Sequence, residues 1–240
     1  MDKFTRIAGK RTVENWGILR TKILGDYNNS NNWKEAVDFF KERIETRYFK
    51  PIDRIINMRL TTGEGFSVVT LICSLVEFLE SFYQGKTYNY NKNAQQKFDY
   101  YSSSDMFKQF LINHKPFELF FKQPVPNPTK KIKTFADDFY SNVRCGLLHE
   151  AATKNGWVIR KHKEKDKNNS PKVFIDLSHP PLKIIYRNEL FNIIKDEFVP
   201  DYERQLIADG EDKNKRKLRD NFGRRMDSLC EIKDNARWWK

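Results

Sequence analysis

Arg144 and His149, with Cys-Gly-Leu-Leu between them, are the pair in this chain whose types and spacing best fit a bond-breaking reaction. A histidine with an ordinary pKa of about 6.5 can give or take a proton near neutral pH. A guanidinium presents several donors in a planar fork and can hold the charge that grows on phosphorane oxygens. Together they suit attack by an RNA 2′-hydroxyl on its adjacent phosphate, a reaction that can run without a metal. The spacing by itself is common: with 4 histidines and 16 arginines in 240 residues, about one such pair arises by chance. Five residues also separate the side chains by about 140° on a straight α-helix. One copy would hardly close around one phosphate, whereas two copies facing each other across a two-fold axis could share a cleft. The plainer alternative makes Arg144 a helix-surface cation and His149 a half-buried residue of the last turn.

Other side chains stand where they could serve this pair. Glu77 lies inside the apolar run LVEFLE, and a buried carboxylate needs a partner. Arg144 is the candidate, with Glu77 orienting its guanidinium; the alternative puts Glu77 on a polar stripe with Ser74, facing solvent or a loop amide. Glu80 is read as solvated. Tyr140, one turn before Arg144, could stack a base, or be a core tyrosine with its hydroxyl at the rim. Three basic runs offer a phosphate track: Lys130, Lys131 and Lys133; then Lys161, Lys163, Lys165 and Lys167; then a tail with Lys213, Lys215, Arg216, Lys217, Arg219, Arg224 and Arg225. Each alone is usually a solvated face, but three together favour a polyanionic partner.

The composition agrees. Lys and Arg exceed Asp and Glu by 12, 44 against 32, and the pI is near 9.5, which points to nucleic acid or an anionic membrane surface. Aromatic residues make up 14%, enough bulky apolar surface to offset ordering entropy. The 3 cysteines form no CxxC pair, there is no HExxH, and Asp137-Asp138 would point roughly 100° apart on a helix, so neither a zinc site nor a two-metal cluster is expected. GxxxxGK[ST], GxGxxG and GxSxG are absent, and no cofactor is expected. The apolar run Phe66–Leu79 contains Thr70, Ser74 and Glu77 and reads as too short and too polar to span a bilayer. The first residues carry no apolar signal core. A cytoplasmic protein with no membrane attachment is the expectation.

Hydrophobic periodicity supplies the elements. Residues 1–30 read as a basic, loosely ordered arm. Trp33, Val37, Phe40, Ile44 and Phe49 mark a helix that Pro51 ends or hands on. Gly63 and Gly65 precede, and Gly85 caps, a long apolar helix, the central buried one. SSDMFKQFLINH and PFELFF make two short helices. Phe135, Phe139, Val143 and Leu147 step by four along the helix that carries Arg144 and His149, with Leu148 and Ala151 widening the stripe. GWVIR and KVFIDL read as a β-hairpin insert over about 156–178, followed by a third extended piece and a helix from about Asn188. Residues 209–240 form a charged helix with Leu218, Phe222, Met226 and Cys230 as its stripe. The fold class is mainly α, a helical bundle, with a main domain over 31–208.

The segment DDFYSNVRCGLLHEAATKNGWVIR, with the earlier GFSVVTLICSLVEFLESFYQG, resembles the HEPN superfamily. The likeness covers about Trp33 to Ile207 in helix order and is specific in detail over Phe135 to Arg160. It implies a helical-bundle domain with a ribonuclease motif at a helix end, Arg144 and His149 as the catalytic pair, and action as a homodimer without a metal. The product would be a 2′,3′-cyclic phosphate. It also implies a toxin or antiphage role, with RNA as partner and an antitoxin or sensor protein as regulator. Cys145 stands where active members commonly carry Asn, Asp or His. A non-catalytic HEPN-like RNA-binding or regulatory module is the alternative, and a DNA-binding protein built on the basic tail is a third reading.

Overall fold

A computed structural model describes residues 1–58, 62–161, 173–208 and 212–240. The chain is mainly helical, as the stripes predict. In order it runs β1 (Arg6–Ala8), β2 (Arg11–Thr12), α1 (Val13–Gly25), α2 (Ser30–Ile44), α3 (Lys50–Asn57), α4 (Glu64–Gln84), β3 (Thr87–Tyr88) and β4 (Asp99–Tyr100). Then come α5 (Ser103–Asn113), α6 (Glu118–Phe121), α7 (Phe135–Phe139), α8 (Cys145–Glu150), β5 (Trp157–Arg160), β6 (Ile175–Asp176), β7 (Lys183–Tyr186), α9 (Arg187–Ile193), α10 (Val199–Ile207) and α11 (Lys213–Leu229). The expected main domain over 31–208, flanked by an arm and a tail, is replaced by two interleaved units. One comprises Met1–Pro51, Phe78–Ser103 and Val199–Lys240; the other Ile52–Glu77 and Ser104–Phe198.

In the first unit the basic N-terminal stretch is structured rather than loose. Thr12 accepts from the Asn15 N–H while the Asn15 side chain accepts from the Thr12 N–H, a reciprocal cap that starts α1. Trp16, Leu19 and Ile23 of that helix are buried. Phe40, Phe82 and Phe222 meet in an aromatic cluster, with ring centroids 5.0–6.1 Å apart. The tail folds as well. Asp227 is fully buried and accepts from the indoles of Trp16, Trp238 and Trp239 and from Arg20. The predicted tail stripe of Leu218, Phe222, Met226 and Cys230 is buried throughout, but the helix stops at Leu229 and the chain ends in a single 3₁₀ turn.

The second unit carries the helix with Arg144 and His149 and the three-stranded sheet. Its sheet has strand order β5-β7-β6, with β5 parallel to β7 and β6 antiparallel to it. The expected hairpin between GWVIR and KVFIDL does not form, because β7 lies between them. β7 is the most apolar of the three strands, and placing it centrally buries Ile184, Ile185 and Tyr186. The loop tip of that expected hairpin lies outside the described residues.

α4 supplies residues to both units. Gly85 takes φ +64° and ends it, the glycine cap read from the sequence. By length and composition this helix could cross a membrane, contrary to the sequence expectation, and just over half of its apolar window is buried within the protein.

Among the described residues three helical runs widen into a π turn, at Glu45–Phe49, Tyr140–Arg144 and Ile194–Phe198. The stripes explain this. Four residues advance 400° on an α-helix, so a strict stride of four drifts about 40° per step. A turn closed from residue i to i+5 takes one extra residue and brings the stripe back. Phe135, Phe139, Val143 and Leu147 stay buried across the second π turn, and Ile44 and Phe49, five apart, stay buried across the first. Leu148 and Ala151 fall outside the stripe and are exposed.

Candidate active site

Helix continuity from Phe135 to Glu150 sets the positions of Arg144 and His149. Thr134 and Asp137 cap its start reciprocally: the Asp137 carboxylate accepts from the N–H groups of Lys133 and Thr134 at 3.1 and 3.0 Å. Burial raises the Asp137 pKa, but those two amides and Lys108 outweigh it, and the carboxyl sits below its ordinary value. Asp138, one residue on, faces inward and is buried. It accepts from the Trp157 indole at 2.9 Å, Lys183 at 2.6 Å, Asn142 at 2.7 Å and Asn155 at 3.2 Å. It therefore anchors the motif helix to β5 and β7 with its acceptor capacity filled.

The helix ends where Ala151 adopts φ +51°, and the chain turns back over its own last turn. The Ala152 N–H bonds to the Gly146 carbonyl and the Lys154 N–H to the Asn142 carbonyl. A Cβ on Gly146 would stand 2.4 Å from the Ala152 carbonyl oxygen. Glycine inside the motif thus permits the return of the chain beside the catalytic candidates.

Arg144 is held on two sides. Its Nη2 lies 3.7 Å from the Glu77 carboxylate, both side chains about one-fifth exposed, and its guanidinium carbon is 5.4 Å from the Tyr140 ring centroid. Of the two readings of Glu77, the geometry matches the one that pairs it with Arg144. Tyr140 is half-buried and packs on Phe107 with centroids 5.6 Å apart. Cys145 is half-buried, and both it and Arg144 act electrostatically on Cys73, whose thiol burial pushes up to about 12. His149 is exposed rather than half-buried. Glu80, read as solvated, is instead buried and bonded to Gln84 in the first unit.

The basic runs separate into different roles. Lys130, Lys131 and Lys133 are exposed on the loop before α7. Adjacent in sequence to the motif helix, they precede its first turn, while Arg144 and His149 lie toward its other end. Lys161 is exposed at the end of β5, and Lys163, Lys165 and Lys167 lie outside the described residues. The tail run is only partly open: Lys213, Arg216 and Lys217 are exposed. Lys215, Arg219 and Arg224 are buried; Arg219 donates to the Leu206 carbonyl and Arg224 to those of Trp238 and Gly85. Long aliphatic stems let such residues serve packing as well as charge. Lys154, five residues beyond His149 and without a role in the sequence-based expectation, pairs with Glu150.

An open groove of about 510 Å³ lies in the second unit between the 125–135 loop and the 177–183 loop, and Asp138, Asn155 and Lys183 form its polar side. Arg144 and His149 do not line it. Among the described residues no three His, Cys, Asp or Glu side chains cluster as a metal site.

No family model matches the chain. No curated protein and no solved structure matches it either.

Proposed function

We propose that the chain is a HEPN-type endoribonuclease working without a metal as a homodimer, with Arg144 and His149 of two subunits completing one cleft. The observation that carries this reading is the motif helix itself. It presents an arginine oriented by a carboxylate and an aromatic ring, then an exposed histidine five residues on at the helix end. In the reaction the 2′-oxygen bonds to phosphorus as the bond to the 5′-oxygen breaks. His149 moves the proton off the 2′-hydroxyl or onto the leaving oxygen, and Arg144 holds the phosphorane oxygens. The products are a 2′,3′-cyclic phosphate and a 5′-hydroxyl end. Exposed Lys130, Lys131 and Lys161 would meet more distant phosphates. A cytoplasmic toxin or antiphage role, controlled by an antitoxin or sensor protein, follows from the resemblance alone.

Purified protein incubated with total RNA in EDTA should cleave it and leave cyclic phosphate ends. His149→Ala should lower the rate by about 10²-fold or more. Cleavage abolished by EDTA, or unchanged in His149→Ala, would overturn the mechanism.

The ion pair between Arg144 and Glu77, with Cys145 after the motif arginine, favours one second reading: a non-cutting RNA-binding or regulatory module in which Arg144 serves stability. It predicts salt-sensitive RNA binding with no new cyclic ends.

A further inference from the structure

The first unit gathers positive charge that the proposed nuclease chemistry does not use. Arg43 in α2 and Arg225 in α11 meet beside the aromatic end of α4, and Arg47, four residues on from Arg43 in the following π turn, acts electrostatically on Arg43. The Arg43 guanidinium carbon lies 5.7 Å from the Phe78 ring centroid, and that of Arg225 lies 5.7 Å from the Phe82 centroid. The two rings are 4.9 Å apart, and Tyr48 packs on Phe78 at 5.7 Å. Arg225 is fixed by hydroxyls, donating to Ser81 at 3.0 Å and Ser228 at 3.3 Å; Ser228 also accepts from Thr87 at 2.7 Å. Arg43 donates to the Ile7 carbonyl, while its Nε is buried without a partner.

Other enclosed arginines of this chain are answered by backbone carbonyls, as Arg219 and Arg224 are, or by carboxylates. Arg187 has Glu64, Arg20 has Asp227 and Arg144 has Glu77. Among the described residues no carboxylate pairs with Arg43, Arg47 or Arg225. The group strains against its own charge: burial, then Arg47 and Arg225, lower the Arg43 pKa to about 10. Cys230 beside it supplies no counter-charge, because burial first, and then Asp227, push its thiol up to about 12. Arg43 and Arg225 are half-buried, and partly desolvated like charges without a counterion are costly to hold together. An anion that accepts from several guanidinium forks relieves the cost, and a phosphate monoester carries up to two charges over three terminal oxygens. Arg47 is exposed and gives such a ligand a way in from solvent.

We propose that Arg43, Arg47 and Arg225 form a binding site for a phosphate monoester, either a free mononucleotide or the 5′-phosphorylated end of an RNA, separate from Arg144 and His149. The proposal does not rest on the nuclease reading.

Calorimetric titration of the full chain at fixed ionic strength tests it, with inorganic phosphate, adenosine 5′-monophosphate, and a short oligouridylate carrying either a 5′-phosphate or a 5′-hydroxyl. The phosphate-bearing probes should bind. Arg47→Gln and Arg225→Gln should each weaken them at least tenfold. Tighter binding of the mononucleotide assigns the site to free nucleotides; tighter binding of the 5′-phosphorylated oligomer over the 5′-hydroxyl form assigns it to RNA ends. Equal binding of both oligomers with none of the small probes, or wild-type affinity in Arg47→Gln, would overturn the site. Arg47 is exposed, so its variant decides the matter even if Arg225→Gln fails to fold.

Discussion

At the scale of single residues, the two glutamates of LVEFLE show what a sequence pattern conveys. Glu77 and Glu80 look alike in an apolar run, yet Glu77 faces Arg144 and Glu80 is buried beside Gln84. A helix apolar around most of its circumference does not reveal which stripe meets which neighbour, so only packing separates them. The capping aspartate yields a prediction with a definite sign. The Asp137 pKa is lowered on folding, so its contribution is full above the unfolded value of about 3.9 and is lost as pH falls through the lower folded value. Asp137→Asn should cost about 0.5–2 kcal/mol near neutrality. That deficit should shrink in denaturant melts below about pH 4; a deficit constant across pH would show that the charge plays no part.

At the scale of elements, stride-four stripes were legible and their consequence was not. Phe135, Phe139, Val143 and Leu147 announce a helix, but the π turn at Tyr140–Arg144 that keeps them on one face appears only when the face has something to pack against. The strand order β5-β7-β6 was equally hidden. Sequence proximity favours a hairpin, while burial of the most apolar strand on both edges decides against it. Gly146 gives this scale its test. Replacing a helical glycine by alanine ordinarily stabilises by up to about 1 kcal/mol. Here the new Cβ would meet the Ala152 carbonyl at 2.4 Å, so Gly146→Ala should destabilise by about 1–3 kcal/mol. At about 2–4 °C per kcal/mol for a chain of this size, calorimetry resolves it; a rise in Tm would show that the return of the chain is not tight.

At the scale of the whole molecule, the excess of 12 positive charges divides into unlike parts. Lys130, Lys131, Lys133 and Lys161 are open to a polyanion, whereas Lys215, Arg219 and Arg224 are built into the first unit. Of the tail run, Lys213, Arg216 and Lys217 remain exposed. The proposed shared cleft is tested by mixing subunits. Arg144→Ala and His149→Ala homodimers should each be nearly inactive. Co-expressed, half of the dimers would be mixed, each bringing one Arg144 and one His149 to the shared cleft, and should regain activity that neither parent homodimer shows. No restoration from exchanged subunits would remove the composite site.

Taken alone, the sequence determined the helical class, most helix positions, the glycine cap at Gly85 and the Arg144–His149 candidate, because periodicity, capping residues and side-chain chemistry are local properties. Tertiary structure decided what local properties leave open: that the basic N-terminal stretch caps and buries a helix, that Arg144 finds Glu77, that Asp138 is spent on anchoring, and which arginines have no carboxylate. These depend on residues far apart in the chain, such as Asp227 with Trp16 or Arg225 with Ser81. Burial cost makes each such pairing matter, and only packing determines which groups are buried together.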